Sequence, residues 1–454
     1  MRIGNLRLGL VGILAWGCAC NVNVSPPVDD GATLDEQLRA VLEEEGVLAL
    51  VKPDVDSAKV ALGRALFFDK LLSGNRNISC STCHTPTAFT SDGLPLSKGE
   101  GGSGLGPARS APIDENGLPI LIPRNSPDVF NRADFTTMFW DGRVRQNDDG
   151  SLTTPAGDAL LPGLDSALAA QALFPVTSGA EMRGSPGGND LADIPGDDFR
   201  AIWSALMSRV LAIPEYRVLF EDAYPSVAVE DLTFAHAANA IAAFEIDHWT
   251  LDDSPFDKYL RGDNSAAPEA AKRGAILFYG KANCGECHSG TLLTDQDFHN
   301  RAIPQMGPGK GDGAGGTSDF GRERVTGDSA DRYKFRTPPL RNVAATAPYM
   351  HDGAYVSLED AVRHNLDPSG MSQRFDAEFL PQLPAEVQSV NRPEQIDDII
   401  ALASTDDEFE SVELTDSEFA DLMAFLEALT SPSLGELTLR DVPERVPSGL
   451  SLAD

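Results

Sequence analysis

Two thiols followed at once by an imidazole occur twice in this chain, as Cys80-Ser81-Thr82-Cys83-His84 and as Cys284-Gly285-Glu286-Cys287-His288. Each thiol of such a pair can add across a vinyl group of haem. The histidine then stands ready as an axial ligand to the iron. Two complete copies use four of the six cysteines. The competing chemistries are dithiol redox pairs and a zinc site assembled from C-x-x-C units. Neither requires a histidine directly after each pair. The residues therefore point to two covalently attached c-type haems, with His84 and His288 as proximal ligands.

Something must carry these two sites, and 454 residues exceed one ordinary core, so two domains or more are expected. Hydrophobic content of 42% is globular, while 7% aromatic is low for the length; two haems would supply apolar bulk. The 69 acidic against 36 basic side chains give a net charge of −33. Such a surface repels nucleic acid and anionic membranes. It serves solubility, and it could steer a cationic protein partner.

Residues 1–20 read as an export signal. Arg2 and Arg7 precede a short apolar run, Leu8 to Trp16, too short to span a bilayer. The run ends at Gly17-Cys18-Ala19-Cys20, similar to a bacterial lipoprotein box, with Trp16 where a small residue is usual. Lipidation at Cys18 or Cys20 is one reading and an ordinary cleaved signal the other. Both place the mature chain in the periplasm or cell envelope. Residues 21–33 read as a tether.

Helical patterns begin near Leu34 and run over Ala58–Leu72, just before the first thiol pair. Residues 91–124, rich in Gly, Pro and Ser, read as a long loop. Residues 200–247 are helical by period, with Phe234, Ala238, Ile241 and Phe244 as an apolar stripe. A short helix over Ala271–Phe278 leads into the second pair, and residues 304–321 read as loop. Thr415 and Glu418 form a capping box for a helix to Leu429. Residues 372–413 read as an acidic insertion, and 433–454 as a surface tail.

Further motifs follow: Arg124-Asn125-Ser126-Pro127, Phe139-Trp140-Asp141-Gly142-Arg143, Gln171-Ala172-Leu173-Phe174-Pro175 with Glu181-Met182, and Pro348-Tyr349-Met350-His351-Asp352-Gly353. With the thiol pairs, they make the chain resemble the bacterial di-haem cytochrome c peroxidase and MauG family from about Val55 to about Thr430. The resemblance implies a mostly α fold of two cytochrome-c-like haem domains. The first, peroxidatic, spans 34–250. The second, for electron transfer, spans 251–432. Ser254 to Leu260 is the short linker between them.

By that resemblance Gln171, Pro175 and Glu181 line the distal pocket of the N-terminal haem. Glu181 would move the peroxide proton from the near oxygen to the far one. Trp140 matches the tryptophan between the haems, an oxidisable relay; a core aromatic at an interdomain seam is the plainer reading. Asn125, with the carbonyls of Thr346 and Pro348, matches a calcium site between the domains, although a turn without metal would need the same residues. His351 would hydrogen-bond a haem propionate. His236, His248 and His299 read as ordinary core or surface residues.

The sequence departs from the family's pattern at two places. Many members carry a blocking histidine after the first haem motif, but no His or Met lies between His84 and Asn125. The first iron should then be open as made, as in MauG. Where the family places the second iron's sixth ligand stands Asn365, a poor one. Its neighbour His364 is a good ligand but lies about 100° round the helix. His364, Met371 or an unligated iron are the alternatives.

The resemblance thus implies peroxide reduction to water. Electrons from a small donor such as cytochrome c would enter at the C-terminal haem and pass by way of Trp140. A MauG-like oxidation of a partner protein is the second reading, and a non-catalytic electron carrier the third.

Overall fold

The computed structural model describes residues 31–389, 396–405 and 409–452. The export signal, with Cys18 and Cys20, and most of the tether lie outside these residues. No helix among the described residues is long and apolar enough to cross a membrane.

Among the described residues the fold is mostly helical, with two small antiparallel sheets. One is the meander Thr137–Met138, Val144–Gln146, Leu152–Thr153; the other pairs Phe298–His299 with Phe335–Arg336. Two main hydrophobic cores each carry one thiol pair. The first is built on helices Ser57–Phe68, Phe199–Leu211, Pro214–Ala223 and Phe234–Trp249, and Cys80 and Cys83 pack against it. The stripe Phe234, Ala238, Ile241 and Phe244 is buried there as expected. The second core joins Pro255–Leu260, Glu269–Tyr279 and Asp416–Ala428, with Cys284 against it. The Thr415–Glu418 capping box forms. Each core has a helix pair that meets at a glycine. A Cβ on Gly63 would lie 1.8 Å from the Ala240 carbonyl oxygen, and one on Gly274 would lie 1.9 Å from that of Asp421. Only glycine permits backbones to approach so closely.

Three expectations need correction. Ser254 to Leu260 is not a free linker: Ser254 caps the helix Pro255–Leu260, and Phe256 and Tyr259 are buried in the second core. The first and last described segments cross between the cores. Helix Leu34–Glu44, assigned to the first domain, buries Leu38 and Leu42 in the second core, with Asp35 2.6 Å from Lys272. Conversely, residues 433–452 are not a surface tail. Leu434, Leu437 and Val446 enter the first core. The Asp441 carboxylate accepts from Trp249 Nε1 at 2.9 Å and lies 2.7 Å from His248 Nδ1, while its carbonyl accepts from Arg64.

The stretch read as an insertion also has a packing role. Helix Pro368–Glu378 and the residues after it bury Met371, Phe375, Phe379, Leu383 and Val387 in a third core with Leu96, Leu121, Met306 and Tyr355. That core ties the 91–124 loop to the C-terminal half, and Glu386 adds an ion pair to Lys98 at 2.6 Å. The loop has little regular structure but is held from within, since buried Arg109 donates to the carbonyls of Lys98, Gly99 and Gly104.

Candidate functional site

Both thiol pairs are folded alike. Each histidine amide donates to the carbonyl of the first cysteine at 3.0 Å, His84 to Cys80 and His288 to Cys284. His84 Nδ1 lies 3.0 Å from the Thr90 carbonyl oxygen, and His288 Nδ1 lies 3.0 Å from that of Leu293. Such a contact places the proton on Nδ1 and leaves the Nε2 lone pair for a metal. Thr90 and Leu293 both hold the uncommon left-handed backbone, with φ of 60° and 55°. That conformation bends each loop back over its histidine. Burial pushes both imidazoles towards the neutral, ligating form, His288 down to about 4. None of the four thiols is in a disulfide. Because the pairs belong to different cores, they do not meet in a four-thiolate zinc site.

Around the second pair opens a cavity of about 910 Å3, lined by Cys284, Cys287, His288, Trp140, Phe335, Arg336, His351 and Asn365 among others. Two of its residues fit the propionates of a haem. His351 is buried and stacked on Phe335 at 3.5 Å, with Nδ1 unpartnered. Arg336 is 5% exposed and has no carboxylate partner among the described residues; burial pushes it down to about 9. Cys287, Asp295 and His299 come close enough to hold a metal ion. Cys287 is one of the two attachment thiols, and His299 is already paired with Asp295 at 2.8 Å, so this trio belongs to the rim of the same site.

His364 is not offered to this cavity, which corrects the expectation for the sixth ligand. It is fully buried on the other side of the regular helix Leu358–Leu366. Its Nδ1 lies 2.8 Å from the Tyr355 hydroxyl and its Nε2 2.7 Å from the Arg301 carbonyl oxygen, so both nitrogens are engaged. Asn365 lines the cavity instead. Met371 is buried in the third core and does not line it either.

At the first pair, Gln171 ends the short helix Ala167–Gln171, Pro175 opens the turn Pro175–Thr177, and Glu181 sits in the π-helical turn Gly179–Arg183. The Glu181 turn is fastened on two sides. The Gly74 amide donates to the Met182 carbonyl at 2.8 Å, and the Glu100 amide to that of Ala180 at 2.9 Å. Glu181 is half-buried, and its carboxylate has no hydrogen-bond partner among the described residues. It lies near the first thiol pair: burial raises the Cys83 thiol, with Asp92 and Glu181 pushing the same way. His236 and His248 are satisfied by Thr233 and Asp441.

Between the sites stands Trp140, buried at the tip of the first hairpin. Its Nε1 donates to the Asn125 carbonyl at 3.0 Å, and its own carbonyl accepts from the Arg336 amide at 2.8 Å. The next residue, Ser126, donates to the Cys83 carbonyl at 2.9 Å and lies 3.4 Å from His84 Nδ1. A short bonded path therefore joins His84 to the wall of the second cavity. The seam is fixed by Arg124, which grips Asp319 with two donors at 2.7 and 2.8 Å and Asp141 with a third at 2.6 Å, all buried. A buried guanidinium fully paired in this way gives geometric definition more than net stability. Arg336, Thr90 and Leu293 were missed from sequence, and Arg124 was read only as part of its motif, because the sequence carries no signal for which cation is paired or which backbone bends back.

Of the residues expected to hold calcium, Asn125 and Pro348 each lie beside the Leu94–Pro95 segment. Asn125 Nδ2 donates to the Leu94 carbonyl at 2.8 Å, and Leu94, Pro95 and Pro348 share a cavity of about 420 Å3. Thr346 closes the turn Val343–Ala345 just before them. The amide and carbonyl oxygens there are of the type a hard cation takes.

Residues 57–265 match the family model described as di-haem cytochrome c peroxidase. The chain is 33% identical to the methylamine utilization protein MauG of Methylorubrum extorquens, over 74% of this chain and 81% of that one. It is 31% identical to the cytochrome c551 peroxidase of Pseudomonas aeruginosa, over 75% and 82%. Among solved structures it is similar to a MauG-like protein associated with microbial copper homeostasis, with a TM-score of 0.58 and 28% identity, covering 88% of this chain and 96% of that one.

Proposed function

The chain belongs to the di-haem cytochrome c peroxidase and MauG family, and from that premise we propose that it reduces hydrogen peroxide to water with electrons from a small donor protein such as cytochrome c. Cys80, Cys83 and His84 would hold a peroxidatic haem in an N-terminal domain, and Cys284, Cys287 and His288 an electron-accepting haem in a C-terminal domain. Bound there, the haems supply iron that takes peroxide and stores electrons. The observation that carries the reading is Glu181, a half-buried carboxylate whose charge acts on the Cys83 thiol and on Lys310. It takes the proton from the near peroxide oxygen and returns it to the far one, which leaves as water. Gln171 and Pro175 shape the pocket and limit water. Trp140, bonded to Asn125 and lining the second cavity, is the oxidisable side chain between the sites. Asn125, Thr346 and Pro348 would hold calcium at the seam. The mature protein would work outside the cytoplasm.

The test is oxidation of reduced cytochrome c by the holoprotein and peroxide, read optically. Sustained oxidation is expected, and none would remove the peroxidase reading. The absence of His and Met between His84 and Asn125 favours one second reading, a MauG-like oxidation of a partner protein's side chains. That reading would stand if peroxide bleached the holoprotein's own aromatic residues while donor turnover stayed negligible.

A further inference from the structure

Asp352 follows His351 in the turn after Pro348 and is 1% exposed. Neither carboxylate oxygen receives a well-aligned hydrogen bond. Few buried carboxylates are left so, because ionising one without partners costs heavily. The surrounding charged and titratable groups do not compensate. Asp319 is negative and is itself gripped by Arg124, which also serves Asp141. Tyr355 donates to His364. His351 lies closest, with Nε2 3.8 Å from Asp352 Oδ2, but burial keeps its imidazole neutral. Burial also pushes the Asp352 carboxyl up to about 8, against the weaker pull of nearby amides. The His351 ring, stacked on Phe335, lines the C-terminal cavity on its other side. One neutral imidazole therefore separates a buried, uncompensated carboxyl from the place where an electron arrives.

We propose that Asp352 is the proton acceptor coupled to the C-terminal haem, taking one proton from solvent as that haem takes one electron from the reduced donor protein, and releasing it when the electron moves on. The inference rests on the second haem of the reading above but not on its peroxide chemistry. Where the carboxyl is ionised in the oxidised state, charge balances at each step: one electron and one proton arrive together and leave together. The driving force is Coulombic, because an added negative charge in a low-dielectric cavity strengthens proton binding to a carboxylate nearby. By linkage, the bound proton favours the electron equally. Below about pH 8 the carboxyl holds its proton in both redox states and contributes no pH dependence. Above it, reduction draws a proton in, and the potential falls as pH rises.

The experiment is a spectroelectrochemical titration of both haems in the holoprotein from pH 6 to pH 10, for the parent and for Asp352→Asn. In the parent, the C-terminal potential should be flat at the acid end and fall with pH above about 8. The variant should be flat throughout, with the N-terminal haem unchanged. A slope that survives in the variant, or a parent with no slope, overturns the proposal. Redox-difference infrared spectra of the unmutated protein at pH 9 serve if the variant does not fold. A protonated buried carboxyl appearing on reduction is expected, and no carboxyl signal also overturns it. A missing second redox wave would instead overturn the second haem itself.

Discussion

Glu181 carries the proposed chemistry, and its surroundings say what its loss should do. Its turn is fastened by the amides of Gly74 and Glu100 through the backbone, not through the carboxylate. Glu181→Gln should therefore leave the fold and both haems intact while slowing peroxide turnover by roughly 10²-fold or more, the scale of losing a positioned acid–base group. Steady-state kinetics with an optical haem count check this; unchanged turnover would remove Glu181 from the mechanism. His364 leads to the opposite expectation. It bridges Tyr355 and the Arg301 carbonyl inside the protein. His364→Ala should cost about 1–3 kcal/mol, the usual penalty for stranding buried partners. It should leave the spin state of the C-terminal haem unchanged in electron paramagnetic resonance. A switch to high spin would restore His364 as an iron ligand.

The elements were legible where their cause is local. The stripe from Phe234 to Phe244 and the Thr415–Glu418 box depend on residues three or four apart, and both appear where the sequence put them. The C-terminal segment failed because its partners are remote. Nothing near Asp441 announces that His248, Trp249 and Arg64 will surround it. His364 failed for the same reason, since the residues that engage it come from two other segments. The clasp made by the C-terminal segment can be tested. Asp441→Ala removes a fully buried charge from a hydrogen-bonded network, and such losses cost about 3–5 kcal/mol. Thermal unfolding should drop accordingly, whereas a surface tail would give a change within about 0.5 kcal/mol. The 368–389 segment allows a similar test. Phe379→Ala should open the third core at a cost of about 3–5 kcal/mol and hasten proteolysis within 91–124, because Leu96 and Leu121 share that core.

The whole molecule is acidic, and two of its buried carboxyls resist ionisation. Burial pushes Glu245 up to about 8 against the pull of Arg132, and Asp352 to a similar value. A carboxyl whose pKa is raised on folding favours the folded state fully below its ordinary value and loses that contribution as pH rises through the raised one. Stability should thus fall between about pH 5 and pH 9, and Glu245→Gln should flatten part of the decline; calorimetry across that range decides. The crossed end segments 34–44 and 433–452, the Arg124 clasp and the third core together fix the two thiol-bearing cores against each other. They also hold the loop after His84, which has no imidazole or thioether to place over the first iron. The N-terminal site should therefore stand ready for peroxide as made. The most direct measurement mixes fully oxidised, as-isolated holoprotein with hydrogen peroxide in a stopped-flow spectrometer, with no reductant present. An immediate change in the haem spectrum at stoichiometric peroxide is expected. Two low-spin haems that stay inert until one is reduced would mean that a ligand blocks the first iron as made.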